Sequence, residues 1–476
     1  SNISVEANTF LSGDAPHSLS MWFNSSNLVS NASNSCIFSL GTEERLDHIG
    51  AAFSNNYQTV QKLLSSDLEA NDRFGYAVAM NSDGTKFIVG AFVKDDDVGN
   101  IADAGAAYIY TYNGSSWDEQ KLMSPDIEAS ARFGWSVSMN SDGTKVIVGA
   151  SYNDEGATST GAAYIYTYSG GSWDAGTKIV APDKEATDYF GYRTAMSGDG
   201  NKVIVGAYLE DDDLNDQNSR SNAGSAYIYT YDGSNWDTGT KIIASDRAVD
   251  DIFGRSVAIN SNGTKVIVGA DGGEAAYIFT YNGSSWVQQQ ILVASDAAAG
   301  DKFGWSVSMN SDGTKVIVGA YAETSLTGAA YIYTYDGSNW DTGTKIVASD
   351  ATAGDGFGIS VGMNSDGTKV IVGAYQEHAD GVDNAGAAYI FAYDGSNWDT
   401  GLKITAPDKE ASDHFSDGTG VAMSGDGARV VVGANLDDVF SANSGAVYVY
   451  DRDTTHHLMT DLKLQSNTWH NLTYAY

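Results

Sequence analysis

Hydrophobic and polar positions follow one plan, repeated seven times, between residues 57 and 452. Residues 303–349 show it. Gly304 to Met309 (GWSVSM) alternates, which predicts a strand, a, with one face turned to a core. Asn310-Ser311-Asp312-Gly313 follows. Asp-Gly reaches positive φ at little cost, so a tight hairpin turn is predicted. Lys315 to Ala320 (KVIVGA) is almost unbroken and apolar, so strand b is expected to be buried on both faces. After a loop of variable length, Ala329 to Tyr335 (AAYIYTY) predicts strand c, with Tyr331, Tyr333 and Tyr335 on one face. Asp336-Gly337 marks another turn, and Trp340 to Ala348 predicts strand d.

Two landmarks keep the copies in register. Phe-Gly opens six of them, at Phe74, Phe133, Phe190, Phe253, Phe303 and Phe357; the seventh reads Phe415-Ser416. An apolar run ending in Gly-Ala follows each, from Gly90-Ala91 to Gly433-Ala434. A four-stranded antiparallel sheet of this size cannot bury both faces alone, but seven packed face to face bury one another. Closure into a ring also protects strand edges. The expected fold is all-β, a seven-bladed β-propeller of four-stranded blades. An open solenoid of the same units is the alternative. The seventh unit stops after strand c (Gly445 to Tyr450), yet Tyr57 to Ser65 (YQTVQKLLS) matches strand d (compare Trp117 to Ser124, WDEQKLMS). Strand 57–65 is therefore expected to complete the last blade and close the ring.

Phe-Gly followed by an apolar strand ending in Gly-Ala resembles the FG-GAP repeats of integrin α chains and many microbial surface proteins. The resemblance spans about residues 57–452 and implies a seven-bladed propeller. Two features depart from it. The family's Pro after Gly-Ala is absent, with Phe92, Ser151, Tyr208, Asp271, Tyr321, Tyr375 and Asn435 in its place. The acidic calcium loop between the first two strands shrinks to Asn-Ser-Asp-Gly, so calcium is not implied by that route. The flanks are similar to something else. His17 to Phe23 (HSLSMWF), Cys36 to Gly41 (CIFSLG) and Trp469 to Tyr476 (WHNLTYAY) resemble strands of a laminin-G or concanavalin-A-like sandwich. This implies that residues 1–50 and 453–476 form a partial β-sandwich from both chain ends, with the propeller inserted. Open sandwich edges are templates for pairing with another chain, including a second copy of this one.

Composition narrows the function. Lys and Arg number 26 against 61 Asp and Glu, a net charge of −35, which repels phosphate backbones and excludes nucleic acid as a partner. The single cysteine, Cys36, can form no internal disulfide and reads as a small buried residue. No apolar run approaches the ~18 residues of a membrane helix. No charged stretch followed by an apolar one opens the sequence at Ser1-Asn2, so no signal peptide is expected. An acidic, Cys-poor chain rich in Asn, Ser and Thr suits an extracellular or cell-surface location. Sequons at Asn2, Asn24, Asn31, Asn113, Asn262, Asn282 and Asn471 are candidate N-glycosylation positions.

In a propeller the b–c and d–a loops share one rim. The b–c loops carry Asp95, Asp96 and Asp97; Glu210, Asp211, Asp212 and Asp213; and Glu377, Asp380 and Asp383. These form the candidate ligand face. Asp211, Asp213 and Asp216 are the weak metal candidates. Calcium wants several such oxygens, but the Asp-x-Asp-x-Asp-Gly spacing is absent, so no cofactor is firmly expected. Two other aspartates recur. One ends strand d in every unit (Asp67, Asp126, Asp183, Asp246, Asp296, Asp350, Asp408), and one precedes Phe by two (Asp72, Asp188, Asp251, Asp301, Asp355, Asp413). Recurrence in blade after blade predicts a structural device. The recurring Trp before strand d predicts packing rather than sugar stacking. The seven histidines form no triad-like or metal-spaced set, so no catalytic residue is assigned and the chain is read as a non-enzyme. The expectation is a scaffold for adhesion to, or recognition of, protein or glycan. A structural subunit of an extracellular filament, joined by strand complementation, is the alternative. A hydrolase or lyase stands third.

Overall fold

A computed structural model describes residues 19–24, 57–96, 99, 101–212, 214, 219–439, 441–452 and 469–474. The chain divides into two compact units, residues 59–451 and the two chain ends. In the unit of the ends, Leu19–Asn24 pairs antiparallel with Trp469–Tyr474, Leu19 opposite Tyr474 and Asn24 opposite Trp469. The segment around Cys36 lies outside the described residues.

The larger unit is a ring of seven blades. In blade 1, strands a (Phe74–Met80), b (Lys86–Ala91), c (Ala106–Tyr112) and d (Trp117–Leu122) pair in that order. The other blades repeat this. In blade 7, Tyr57–Leu63 takes the outer place beside Ala446–Arg452, followed by Arg429–Ala434 and Val421–Met423. The upstream segment therefore closes the ring, as its likeness to strand d implied. The seven a strands line the axial channel. Strand b is fully buried, with Val316, Ile317 and Val318 all inaccessible, as expected for the middle of a sheet packed on both sides.

Packing explains both dipeptide landmarks. The Gly of each Phe-Gly meets the Gly of the preceding blade's Gly-Ala, backbone against backbone. A Cβ on Gly149 would lie 2.0 Å from Gly191 O, and one on Gly433 would lie 1.8 Å from Gly75 O, across the closing seam. The first glycine also sits in the left-handed region (Gly75 φ +95°). Blade 7 departs at Ser416, which holds φ +77° and donates its hydroxyl to Ala387 O at 2.8 Å. The phenylalanine is buried edge-on against two aromatic rings of strand c: Phe303 lies 5.5 Å from Tyr331 and 6.2 Å from Tyr333.

Strand d is shorter than the sequence pattern predicts. In blade 5 it covers Thr344–Ile346, and Trp340 forms only an isolated bridge to Tyr335. Asp341-Thr342-Gly343 interrupts it: Asp341 Oδ1 accepts the Gly343 N–H at 3.0 Å, with Gly343 at φ +79° over the Tyr333 ring. Blades 1 and 4 lack this Gly and keep a continuous strand, Trp117–Leu122 and Trp286–Leu292.

The a–b turns form the lower rim and are stitched together by main-chain bonds. Ser82 N donates to Ser141 O, Ser141 N to Gly198 O, and Asp199 N to Ser261 O (2.9, 3.0 and 3.3 Å). Ser261 N donates to Ser311 O, Ser311 N to Ser365 O, Ser365 N to Gly425 O, and Gly425 N back to Ser82 O (2.9, 3.0, 2.9 and 2.7 Å). The hoop is complete. The first residue of strand b adds a side-chain clasp, as Lys315 Nζ donates to Gly367 O of the next blade at 2.9 Å.

Candidate functional site: the upper rim and the channel mouth

The opposite rim carries the b–c and d–a loops. They touch across blades: Ser130 N donates to Ala102 O and Phe133 N to Ala104 O, both at 2.9 Å. The aspartate ending strand d joins its blade to the next. Asp296 accepts the Tyr331 hydroxyl at 2.7 Å and Lys345 Nζ at 2.6 Å, and Lys345 also reaches Glu323 at 3.0 Å. The bonds from Lys345 and Tyr331 hold the Asp296 carboxyl below its usual range.

The same set recurs as Asp183–Tyr227–Lys241–Glu210 and Asp350–Tyr389–Lys403–Glu377. At the closing seam, Lys62 bridges Asp408 and Asp437, both at 2.8 Å, and both carboxylates accept from Tyr448. Two ligand-face candidates, Glu210 and Glu377, are thus buried members of inter-blade ion sets, and burial pushes both carboxyls up.

The FG-GAP repeat model matches residues 57–110, 117–166, 173–229, 236–279, 286–333, 340–391 and 398–450. The chain belongs to the FG-GAP repeat family. No curated protein matches it. Each matched segment begins at the aromatic residue that opens or leads into strand d and ends in strand c. The first begins at Tyr57, so the family register itself treats the closing segment as a strand d.

An FG-GAP fold raises calcium, and the a–b turns do not fit it. The recurring side-chain oxygens of each turn are used by the turn itself: Asp312 Oδ1 accepts Thr314 N at 2.9 Å and Thr314 Oγ1 at 2.6 Å, and Asn310 Oδ1 accepts Lys315 N at 2.9 Å. Calcium needs six to eight oxygens. Among the described residues no group of three or more His, Cys, Asp or Glu is placed to hold a metal.

The remaining candidates divide. Asp95 accepts Asp103 N at 2.9 Å, Asp96 accepts Gly99 N at 2.5 Å, and Asp211 accepts Asn222 N at 2.6 Å, so each braces its own loop. The main-chain N–H of Asp212 donates to Glu210 at 2.7 Å. Asp380, paired with Lys409 at 2.8 Å, and Asp383, 3.8 Å from His378, stand in solvent. Asp97, Asp213 and Asp216 lie outside the described residues, as do Asn2 and Asn31. Asn113 and Asn282 sit on exposed turns and accept their own turns' N–H groups; Asn262 does the same for Thr264. Asn24 and Asn471 lie in the paired end strands.

The aspartate two before Phe caps its own loop. Asp72 accepts Glu69 N at 2.7 Å, Asp188 accepts Glu185 N at 2.6 Å and Asp413 accepts Glu410 N at 2.5 Å. Burial outweighs these bonds and pushes the three carboxyls up, to about 6, about 7 and about 6 from an ordinary 3.8. The folded chain therefore binds protons that the unfolded chain releases between about pH 4 and 7. Stability is gained as pH falls through that window and lost as it rises. Carboxyls held low, such as Asp296, act in the opposite sense only near pH 4 and below. The midpoint of thermal unfolding is expected to be higher at pH 5 than at pH 8. Asp188→Asn should raise it at pH 8 more than at pH 5; equal shifts would refute the assignment.

One feature escaped the sequence reading. The residue after each Phe-Gly starts strand a and so stands at the upper mouth of the channel. Read in register, it is Tyr76, Trp135, Tyr192, Arg255 and Trp305 in blades 1–5, aromatic or Arg every time.

Proposed function

We propose that this FG-GAP propeller is a non-enzymatic recognition scaffold, extracellular or at the cell surface, that meets protein or glycan with its upper rim. One contrast carries the reading. The lower turns keep one length, 81–85 in blade 1 and 310–314 in blade 5, whereas the b–c loops run from 271–274 in blade 4 to 208–224 in blade 3. A constant frame with divergent loops on one side is how recognition surfaces are built. Replacing only the solvent-exposed tips of the b–c loops of blades 1, 3 and 6 with short Gly-Ser links, keeping Glu210, Glu377 and the inter-blade backbone bonds, should abolish capture of glycan-array or immobilised-protein ligands while leaving the unfolding midpoint within a few degrees. Absence of binding by the intact chain to any ligand, with or without calcium, would sink the proposal.

A second reading rests on the end strands. Leu19–Asn24 and Trp469–Tyr474 make a sheet of only two strands among the described residues. Two strands are marginal alone. In this reading they belong to a partial laminin-G or concanavalin-A-like sandwich whose missing strands come from a second copy, which builds a filament. Electron microscopy would then show fibres that vanish when residues 1–45 are removed.

A further inference from the structure

The mouth of the channel on the upper face is rich in rings and in unmatched positive charge. Phe92 lies 4.6 Å from Trp135, Trp135 lies 5.6 Å from Tyr192, and Trp305 lies 4.6 Å from Tyr321. The Arg255 guanidinium joins the two groups, 4.8 Å from the Tyr192 ring and 3.7 Å from that of Trp305. The result is an arc of aromatic rings running through blades 1 to 5, partly exposed except for the buried Tyr192.

Charge sets this place apart. Acids outnumber bases by 61 to 26, and the strand d lysines described above are taken up by carboxylates. Arg132 and Arg193 pair with no carboxylate among the described residues. Arg132 lies over the Tyr152 ring at 4.1 Å. Arg193 is only 7% exposed and lines the channel, 4.6 Å from the Tyr192 ring. It donates through Nη1 to Tyr192 O at 3.0 Å. Arg255 already faces a carboxylate, its Nε 3.7 Å from Asp271 Oδ1, but the Arg132 Nε and the Trp135 indole N–H are buried without an acceptor. A guanidinium offers five donors, and burying one without a counter-charge is costly. Arg132 and Arg193 are short of an anion.

We propose that this mouth binds the end of a saccharide carrying a single carboxylate, its ring stacked on the aromatic arc and its carboxylate on Arg193, Arg132 or both. Trp305 lines the channel and offers indole surface suited to the C–H side of a pyranose, and the channel offers about 240 Å³. A guanidinium fork matches a carboxylate. A polyanion is disfavoured by the net charge of −35, whereas one carboxylate on a neutral chain is not. The proposal shares with the rim reading only the choice of ligand face.

The test uses the full chain, followed by tryptophan fluorescence and calorimetry. The probes are a disaccharide ending in glucuronate, the same disaccharide ending in glucose, and a tri-glutamate peptide. The glucuronate probe should saturate and bind roughly tenfold or more tightly than the glucose probe, in line with the loss of a charge-assisted bond. Arg193→Gln, or Arg132→Gln should the first fail to fold, should weaken it by a similar factor without affecting the glucose probe. Equal binding of the two sugars, stronger binding of the peptide, or no saturation by roughly 10 mM, a Kd too weak to be a built site, would overturn the proposal. Loop-trimmed chains that keep glucuronate binding but lose surface capture uphold this site and separate it from the rim. Chains that keep capture after Arg193→Gln has failed to weaken glucuronate binding overturn this site alone.

Discussion

Gly149→Ala is expected to prevent stable folding. The added carbon would sit 2.0 Å from Gly191 O and 2.4 Å from Ser136 Oγ. The first neighbour is backbone of the next blade, so no side-chain rotation relieves it. Overpacking a core commonly costs about 1–3 kcal/mol, and separating two blade backbones should exceed that range. Set against a total stability of about 5–15 kcal/mol, and propagated around a closed ring, the loss is decisive. Gly114→Ala is the control. That position also has positive φ, +100°, but nothing lies within 4 Å of its would-be Cβ. Its cost should be about 1 kcal/mol, from backbone strain alone. Urea unfolding followed by circular dichroism separates the two, and coinciding midpoints would contradict the inter-blade contact.

The second large effect concerns closure. Removing residues 1–65 takes away the outer strand of blade 7 and, with it, Lys62. Asp437, whose side chain is only 4% exposed, would lose its cation. Strand c of that blade, Ala446–Arg452, would become an open edge. The truncated chain should lose its single cooperative transition and self-associate, and a peptide spanning residues 57–65 should restore both properties. A truncated chain that stays monomeric with an unchanged midpoint would show that the ring does not depend on this seam. Lys62→Met is the milder version, expected to cost about 3 kcal/mol because it strands a buried carboxylate.

Strands, turns and closure were legible because each is written locally. Alternation in GWSVSM, the unbroken KVIVGA run and Asp312-Gly313 specify strand, buried strand and turn within a few residues of one another. The inter-blade ion sets were not. Glu210 reads as a free acid in its loop, yet its partner Lys241 stands 31 residues on, and the Asp183 that completes the set lies in the turn after the preceding blade's strand d. Nothing in a single loop reveals that. The interrupted strand d was missed because Asp341-Thr342-Gly343 passes for part of a strand until the Tyr333 ring beneath Gly343 is seen. The arginines at the mouth were hidden differently. Arg193 and Arg255 occupy adjacent register positions of a repeat otherwise read for its glycines, and only the ring brings them together over Tyr192.

The circle of peptide bonds around the lower turns also bears on traffic through the axis. Widening that opening would mean breaking several main-chain links at once, each worth about 1 kcal/mol. The floor of the channel is thus a washer of fixed bore. Whatever enters or leaves the axis at this end must therefore fit an aperture that the ring itself holds constant.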